Sequence, residues 1–292
     1  MASLKEVKGR ILTVTNTKKI TSAMKMVSSA KLHKAQGAVA GMLPYEEKLH
    51  QMLTNLISGT PVKGTIALTE NRTMKKVALV VFSSNSSLCG SFNANIIKFF
   101  LKVVSEYKAK GIEEVEIYAI GKKAEDALRK EGYTMTASYA TLSEKPNYNE
   151  CAALANKLIN DFEKKSIDRV ELIYNHFKSM GTQVLTRTTM LPIEIPADDS
   201  NNVNQSVGEV DYILEPSSTE LLEELMPKVL RLKLYSTLLD ANTAEHAARM
   251  IAMQVATDNA TELMEELTLM YNKTRQQSIT NELLDIMGGT IN

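Results

Sequence analysis

The two ends of the chain are long helical segments whose apolar residues repeat at coiled-coil spacing. From residue 2 to about 57, apolar positions follow one another at intervals of three and four, the a/d pattern of a two-helix seam. They are Leu4, Val7, Ile11 and Val14, then Ile20, Met24 and Val27, and finally Leu49, Met52, Leu53 and Leu56. The pattern predicts a helical segment whose apolar repeat is broken near Lys18 and again near Pro44.

The C-terminal segment is predicted to form a longer helix. Ser217 and Glu220 have the spacing of a helix capping box. Helix signals continue from there to Met287, and the Gly-Gly pair that follows is expected to end the helix. Pro227 removes one helical hydrogen bond, so we expect a kink over residues 223–227.

Neither segment can bury its apolar stripe alone, so we expect the two to pair antiparallel as one coiled coil. Small side chains at every fourth position of the second segment would allow a close approach. They are Ala244, Ala248, Ala252, Ala256 and Ala260. The neutral total charge hides a complementary distribution: residues 1–40 carry eight Lys or Arg and one Glu, whereas residues 211–292 carry thirteen Asp or Glu and six Lys or Arg.

Between these segments, predicted strands and helices alternate. The predicted strands cover 77–82, 115–120, 133–139, 169–177 and 183–193, and the predicted helices lie at about 96–111, 122–131 and 147–165. Such alternation indicates a mostly parallel sheet with helices on its faces, and the last two strands can form a hairpin. We therefore predict an α/β fold in which a Rossmann-like domain, 75–195, is inserted into a long antiparallel two-helix coiled coil formed by residues 1–57 and 211–292.

The α/β segment has no persuasive catalytic or cofactor motif. Neither G-x-x-x-x-G-K-[ST] nor G-x-G-x-x-G occurs, and the nearest candidate for a phosphate loop is Gly121-Lys122-Lys123. Cys89 lies at a strand–turn–helix junction like that of a nucleophile elbow, with His176 as its only conceivable base. The Cys and His residues lack metal-ligand spacing. We expect no catalytic residue, no cofactor and no metal.

Composition excludes several classes of protein. Two cysteines cannot form a disulfide framework, which favours a reducing compartment. No apolar run approaches the roughly 20 residues of a membrane helix, and the N-terminus has no signal-peptide pattern. The basic N-terminal run around Lys18 and Lys19 could face nucleic acid, anionic lipid or an acidic protein surface, but no nucleic-acid motif accompanies it.

Both ends of the chain resemble the gamma subunits of F-type ATP synthases. The matching segments are Ile11–Lys31 (ILTVTNTKKITSAMKMVSSAK), Ser87–Gly90 (SLCG), Glu245–Asn259 (EHAARMIAMQVATDN) and Leu269–Glu282 (LMYNKTRQQSITNE). The similarity covers essentially the whole chain and is strongest at the ends. One departure is Asn85-Ser86-Ser87, where the family commonly has an acidic residue, a basic residue and glycine.

The resemblance implies a central rotor shaft that couples proton-driven rotation of a c-ring to ATP synthesis in the beta subunits. Such a subunit regulates ATPase activity and proton flow and catalyses nothing itself. Expected partners are the alpha, beta and epsilon subunits and the c-ring, with no nucleic acid. The expected location is the cytoplasmic face of a bacterial inner membrane, with membrane association only through the complex.

The resemblance also implies three contact regions. Lys18, Lys19, Met24 and Lys25 match residues facing the lever loops of the beta subunits, although Met24 also fits the apolar seam. Arg275, Gln276 and Thr280 match contacts higher in the catalytic ring, and Tyr212 and Glu215 match the region that meets the c-ring. Two rival classes remain open: a nucleotide-using enzyme with a coiled-coil appendage, and a nucleic-acid-binding coiled coil.

Overall fold

Two long helices carry the ends of the chain in the computed structural model, which describes residues 3–59, 67–70, 72–112, 114–193, 215 and 217–289. Helix α1 is Leu4–Gly59 and helix α6 is Ser218–Gly289. The Ser217 hydroxyl accepts the Glu220 N–H at 3.3 Å, as the capping spacing predicts. Helix α1 runs without interruption through Lys18 and Pro44, the two positions where the apolar repeat is broken.

The elements between these helices form a five-stranded mixed sheet. In chain order they are β1 (Lys76–Phe82), α2 (Phe92–Ala109), β2 (Glu114–Ile120), α3 (Lys122–Lys130), β3 (Ala137–Ser138), α4 (Ala140–Glu144), α5 (Tyr148–Glu163), β4 (Arg169–Ser179) and β5 (Thr182–Leu191). The strand order is β3-β2-β1-β4-β5, parallel except for the antiparallel β4–β5 hairpin. This is the predicted α/β class with a doubly wound topology, and the order reverses between β1 and β4.

The third strand is much shorter than the predicted 133–139. It pairs with β2 only at Ala137 and Ser138. The Tyr133 N–H is engaged by the Leu128 carbonyl at 3.0 Å, a contact that closes the end of α3. Tyr133 therefore belongs to the helix terminus, and the edge strand begins later.

The chain divides into two compact units. Residues 32–248 form one unit, in which apolar layers cover both faces of the sheet. Val77, Leu79 and Val81 of β1 pack with α2 and α3, whereas Ala78 and Val80 pack with α5 and part of α6. This unit includes parts of both long helices. Its boundaries, 32 and 248, therefore differ from those of the inserted domain expected from the sequence, 75 and 195.

The other unit contains residues 3–31 and 249–289 and is an antiparallel helix pair. The direction follows from two contacts: Thr15 Oγ1 lies 3.3 Å from Met264 Sδ, and Thr21 Oγ1 lies 2.8 Å from Thr257 Oγ1. Residue numbers on α6 decrease as those on α1 increase, so the two helices are antiparallel.

The seam of this helix pair differs from its prediction. Thr21 and Ser28 are buried in it, whereas Ile20 and Val27 are more than half exposed. Counting heptads from Val7 reaches Thr21 and Ser28 without interruption. The predicted resumption of the stripe at Ile20 and Val27 was wrong because hydroxyl side chains hold the seam positions there.

Candidate functional site

The carboxyl edge of the sheet is where a doubly wound fold presents its ligand crevice. Here the turn after β1 covers this edge. The Ser83 N–H donates to the Ile120 carbonyl at 2.7 Å, and Asn93 Oδ1 accepts the Ser84 N–H at 3.1 Å. Leu88, with φ of +67°, lies in the left-handed region, so the turn is tightly folded.

The first three N–H groups of α3 are already bonded to this turn. Lys122 donates to Asn85 Oδ1 at 2.9 Å, Lys123 to the Ser84 carbonyl at 3.0 Å, and Ala124 to Ser83 Oγ at 2.9 Å. Free amides at a helix N-terminus are what bind phosphate in nucleotide folds. Because these amides serve as bonds within the fold, Gly121-Lys122-Lys123 does not act as a phosphate loop in this conformation.

Gly121 has a backbone role at this junction. Its φ is +106°, and a Cβ at this position would stand 2.1 Å from the Ser83 carbonyl oxygen. Only glycine fits such a conformation beside another backbone segment. The glycine that drew attention in the sequence therefore serves the junction between β2 and α3.

The candidate nucleophile Cys89 is a packing residue. Its buried sulfur accepts a hydrogen bond from Asn93 Nδ2 at 3.1 Å and lies 3.8 Å from Ser84 Oγ. His176 Nδ1 instead lies 2.6 Å from Asp240 Oδ2, and no hydrogen bond joins it to Cys89. The other cysteine, Cys151, is also buried, and burial raises the pKa of its thiol to about 12.

Helix α6 lies across the carboxyl edge within the unit 32–248. Its residues Leu238, Ala241, Asn242 and Glu245 line a cavity of only about 10 Å³, together with the ends of β1 and β2 and the start of α2. Such a space holds about one water molecule. The crevice that binds ligands in other doubly wound folds is therefore filled by a helix of the same chain.

A larger groove lies beside this edge, in the same unit. It has a volume of about 540 Å³ and is bounded by α1, β4, β5 and α6. Apolar side chains, including Val39, Met42 and Leu239, line it together with Glu46 and Asp240. Among the residues with a described structure, no cluster of three or more His, Cys, Asp or Glu could hold a metal ion.

The residues predicted to contact partners lie in separate places. Lys18, Met24 and Lys25 are partly buried on α1, and Lys19 is exposed. Arg275, Gln276 and Thr280 are exposed on α6, and Glu215 is exposed. Tyr212 lies outside the described residues.

Exposed apolar residues are a feature that the sequence prediction missed. On α1, Leu12, Ile20, Met26 and Val27 are each 57–66% exposed. Near the end of α6, the residues exposed in the same way are Leu283, Leu284, Ile286 and Met287. Their spacing off the heptad seam was the available signal, because a large apolar side chain outside a seam needs another surface to cover it.

Comparison with known proteins identifies the family. A family model described as ATP synthase matches residues 3–291. The ATP synthase gamma chain of Bacteroides fragilis is 56% identical over 292 residues, covering all of both chains, and that of Phocaeicola vulgatus is 52% identical over the same length. The chain belongs to the ATP synthase gamma chain family.

Solved structures share the gamma-family fold at low sequence identity. A chain of the Euglena gracilis mitochondrial ATP synthase (OSCP/F1/c-ring) superposes with a TM-score of 0.67 at 19% identity, covering 99% of this chain and 93% of that chain. A chain of the Tetrahymena thermophila mitochondrial ATP synthase (central stalk/c-ring) gives 0.62 at 23% identity, covering 81% and 99%. The same fold thus occurs in chains that are only 19–23% identical to this one.

In this gamma-family chain, no described helix combines the length and apolarity needed to cross a membrane. Its net charge is separated between the two ends of the sequence, positive over residues 1–40 and negative over residues 211–292. The family's shared architecture therefore comes with a helix pair that offers charged and apolar surface to other proteins.

Proposed function

We propose that this chain is the central rotor shaft of a bacterial F-type ATP synthase, coupling proton-driven rotation of a c-ring to the conformational cycle of the beta subunits. In this role it also regulates ATPase activity and proton flow, and catalyses nothing itself. The observation that carries the proposal is the exposed apolar surface of the two long helices: Leu12, Ile20 and Val27 of α1 are each at least 57% exposed, and Leu283, Leu284, Ile286 and Met287 near the end of α6 at least 56%. A lone helix pair gains nothing from this exposure, but a shaft inside a ring of subunits would bury it.

The three contact regions are proposed from the resemblance of their residues to those of the family. Lys18, Lys19, Met24 and Lys25 would face the acidic lever loops of the beta subunits, which would give the basic segment of α1 an electrostatic partner. Arg275, Gln276 and Thr280 would face loops higher in the ring of alpha and beta subunits. Glu215 and Tyr212 would meet the c-ring.

The epsilon subunit is a further expected partner, and the complex would lie on the cytoplasmic face of the inner membrane. Membrane association would be peripheral, through other subunits. The occupied amides of α3 and the filled crevice support a mechanical role, because they leave no room for a nucleotide at the sheet edge.

Reconstitution with alpha and beta subunits tests this proposal. With the chain present, we expect a complex of fixed stoichiometry and, with the membrane sector added, ATP-driven proton pumping. Without the chain, pumping should be absent. Failure to form the complex, or saturable nucleotide binding by the isolated chain, would contradict the proposed role as a rotor shaft.

A variant that lacks three positive charges of α1 tests the proposed contact with the lever loops of the beta subunits. Changing Lys18, Lys19 and Lys25 together to Gln should lower coupled ATP hydrolysis about 3-fold or more and weaken its dependence on salt, because exposed charge pairs are screened by ions. The matched control changes Lys98, Lys102 and Lys130 to Gln, which are exposed on α2 and α3. Equal behaviour of the two triple variants would refute the electrostatic contact.

A further inference from the structure

Two polar side chains of α6 bind two different elements of the α/β domain. Asp240 Oδ1 accepts the Phe177 backbone N–H of β4 at 3.0 Å, and its Oδ2 lies 2.6 Å from His176 Nδ1. Asn242 Nδ2 donates to the Ser143 carbonyl of α4 at 2.9 Å. Both bonds lie within the unit 32–248.

These hydrogen bonds hold α6 on opposite sides of its axis. Residues two apart on an α-helix are separated by about 200° around its axis. Asp240 therefore points to one side of α6, toward β4, and Asn242 to the other, toward α4. Rotation of the helix in either direction would stretch at least one of the two bonds.

The groups around these two hydrogen bonds are themselves held in place. Ser143 is held in turn by a hydrogen bond from its Oγ to the Ser83 carbonyl at 2.8 Å, so a chain of bonds leads from the end of β1 to α6. Asn242 is about nine-tenths buried. Close by, Ala244 packs against Cys89 and Phe92.

Apolar packing already holds this part of α6, because Leu230, Leu234 and Leu238 are buried in the core. Hydrogen bonds weaken steeply with angle, so the bonds of Asp240 and Asn242 narrow the angular range that the packing leaves open. Helix α6 is continuous from Ser218 to Gly289. Asp240 and Asn242 lie in the part of this helix that belongs to the unit 32–248, and there the two bonds hold it at one angle.

We propose that Asp240 and Asn242 are positioning residues that fix the angular setting of α6 on the α/β domain, so that torque on the domain turns the helix without slip. The inference rests on the proposed shaft function and assigns part of its torque transmission to two residues. The edge that holds a ligand in other doubly wound folds would here hold the driven helix.

The test uses the assembled ATP synthase with the double variant Asp240→Ala/Asn242→Ala. We expect the ratio of protons pumped to ATP hydrolysed to fall about 2-fold or more. Amide exchange over residues 238–248 should accelerate about 10-fold or more, because the loss of even one buried hydrogen bond has an effect of about that size. Asp240→Asn keeps an acceptor for the Phe177 N–H and should retain most of the coupling. Glu223→Ala, at an exposed position of the same helix, is the matched control and should match the wild type.

The outcomes separate this inference from the proposed function. A wild-type assembly that does not pump refutes the shaft itself. A wild-type assembly that pumps, beside a double variant with an unchanged ratio, refutes the positioning role even if the variant melts at a lower temperature. If the double variant does not assemble, the single variants Asp240→Ala and Asn242→Ala are measured, and an unchanged ratio in both overturns the inference.

Discussion

At the scale of single residues, Glu171 of β4 is a buried charge of the sheet that pairs with two arginines. Its carboxylate is buried and binds Arg187 Nε at 2.6 Å and Arg169 Nε at 2.8 Å. Burial alone would raise the pKa of Glu171, but hydrogen bonds from Arg187 and Tyr107 and the Arg187 charge outweigh it and lower the pKa. The same cluster raises the pKa of Tyr107 to about 12, through burial first and then through Glu171.

Glu171→Gln should therefore destabilise the chain in a way that depends on pH. A lowered folded pKa means that the ionised carboxylate stabilises the fold above its unfolded pKa of about 4.3, and that this contribution is lost as pH falls through the folded value. We expect a loss of about 2 kcal/mol between pH 6 and 8. Urea unfolding across pH should show the difference shrinking below about pH 4, and a constant difference down to pH 3 would contradict this account.

Gly121 supplies a second prediction at the residue scale. Gly121→Ala should lower the free energy of unfolding by about 3 kcal/mol, because the new Cβ meets backbone and the φ of +106° is strained for alanine. Gly37→Ala is the control: no atom stands near its would-be Cβ, so the substitution should stabilise α1 by about 0.5–1 kcal/mol. Equal effects in urea unfolding would show that the junction tolerates a side chain.

At the scale of elements, the α/β part was predictable and the helix seam was not. The strand Val77–Phe82 was identified because buried parallel strands read as continuous apolar runs. The seam at Thr21 and Ser28 was missed because hydroxyl residues look like a break in an apolar stripe. Asp240 and Asn242 were missed for a related reason, since polar side chains on a helix look like surface until their partners on other elements are known.

The hydroxyl pair of the seam can be tested by a double-mutant cycle. Thr257 Oγ1 lies 2.8 Å from Thr21 Oγ1, and the two hydroxyl protons are shared among this contact and the Lys18 and Met253 carbonyls of their own helices. We expect Thr21→Val, Thr257→Val and the double variant to reveal a coupling energy of about 0.5–1 kcal/mol in thermal unfolding. Strict additivity would mean that the pair contributes no mutual stabilisation.

At the scale of the whole molecule, the neutral charge total was the least informative number in the sequence. The separation of basic residues into 1–40 and acidic residues into 211–292 predicted that the ends of the chain belong together. The contacts of Thr15 and Thr21 with α6 agree with that pairing. The outward apolar surface was missed because Ile20 and Val27 were interpreted as seam positions, although the heptad count from Val7 places them off the seam.

The long sequence separation across the seam has a consequence for biosynthesis. Thr21 and Thr257 are 236 positions apart. At about 5–20 residues per second on the ribosome, the start of α1 waits roughly 10–50 s for its partner to be made. During that interval the seam residues Val7, Thr21 and Ser28, which are buried in the finished helix pair, have no α6 to cover them. Nascent chains of this kind should depend on chaperones that hold amphipathic helices, and that need should end once translation is complete.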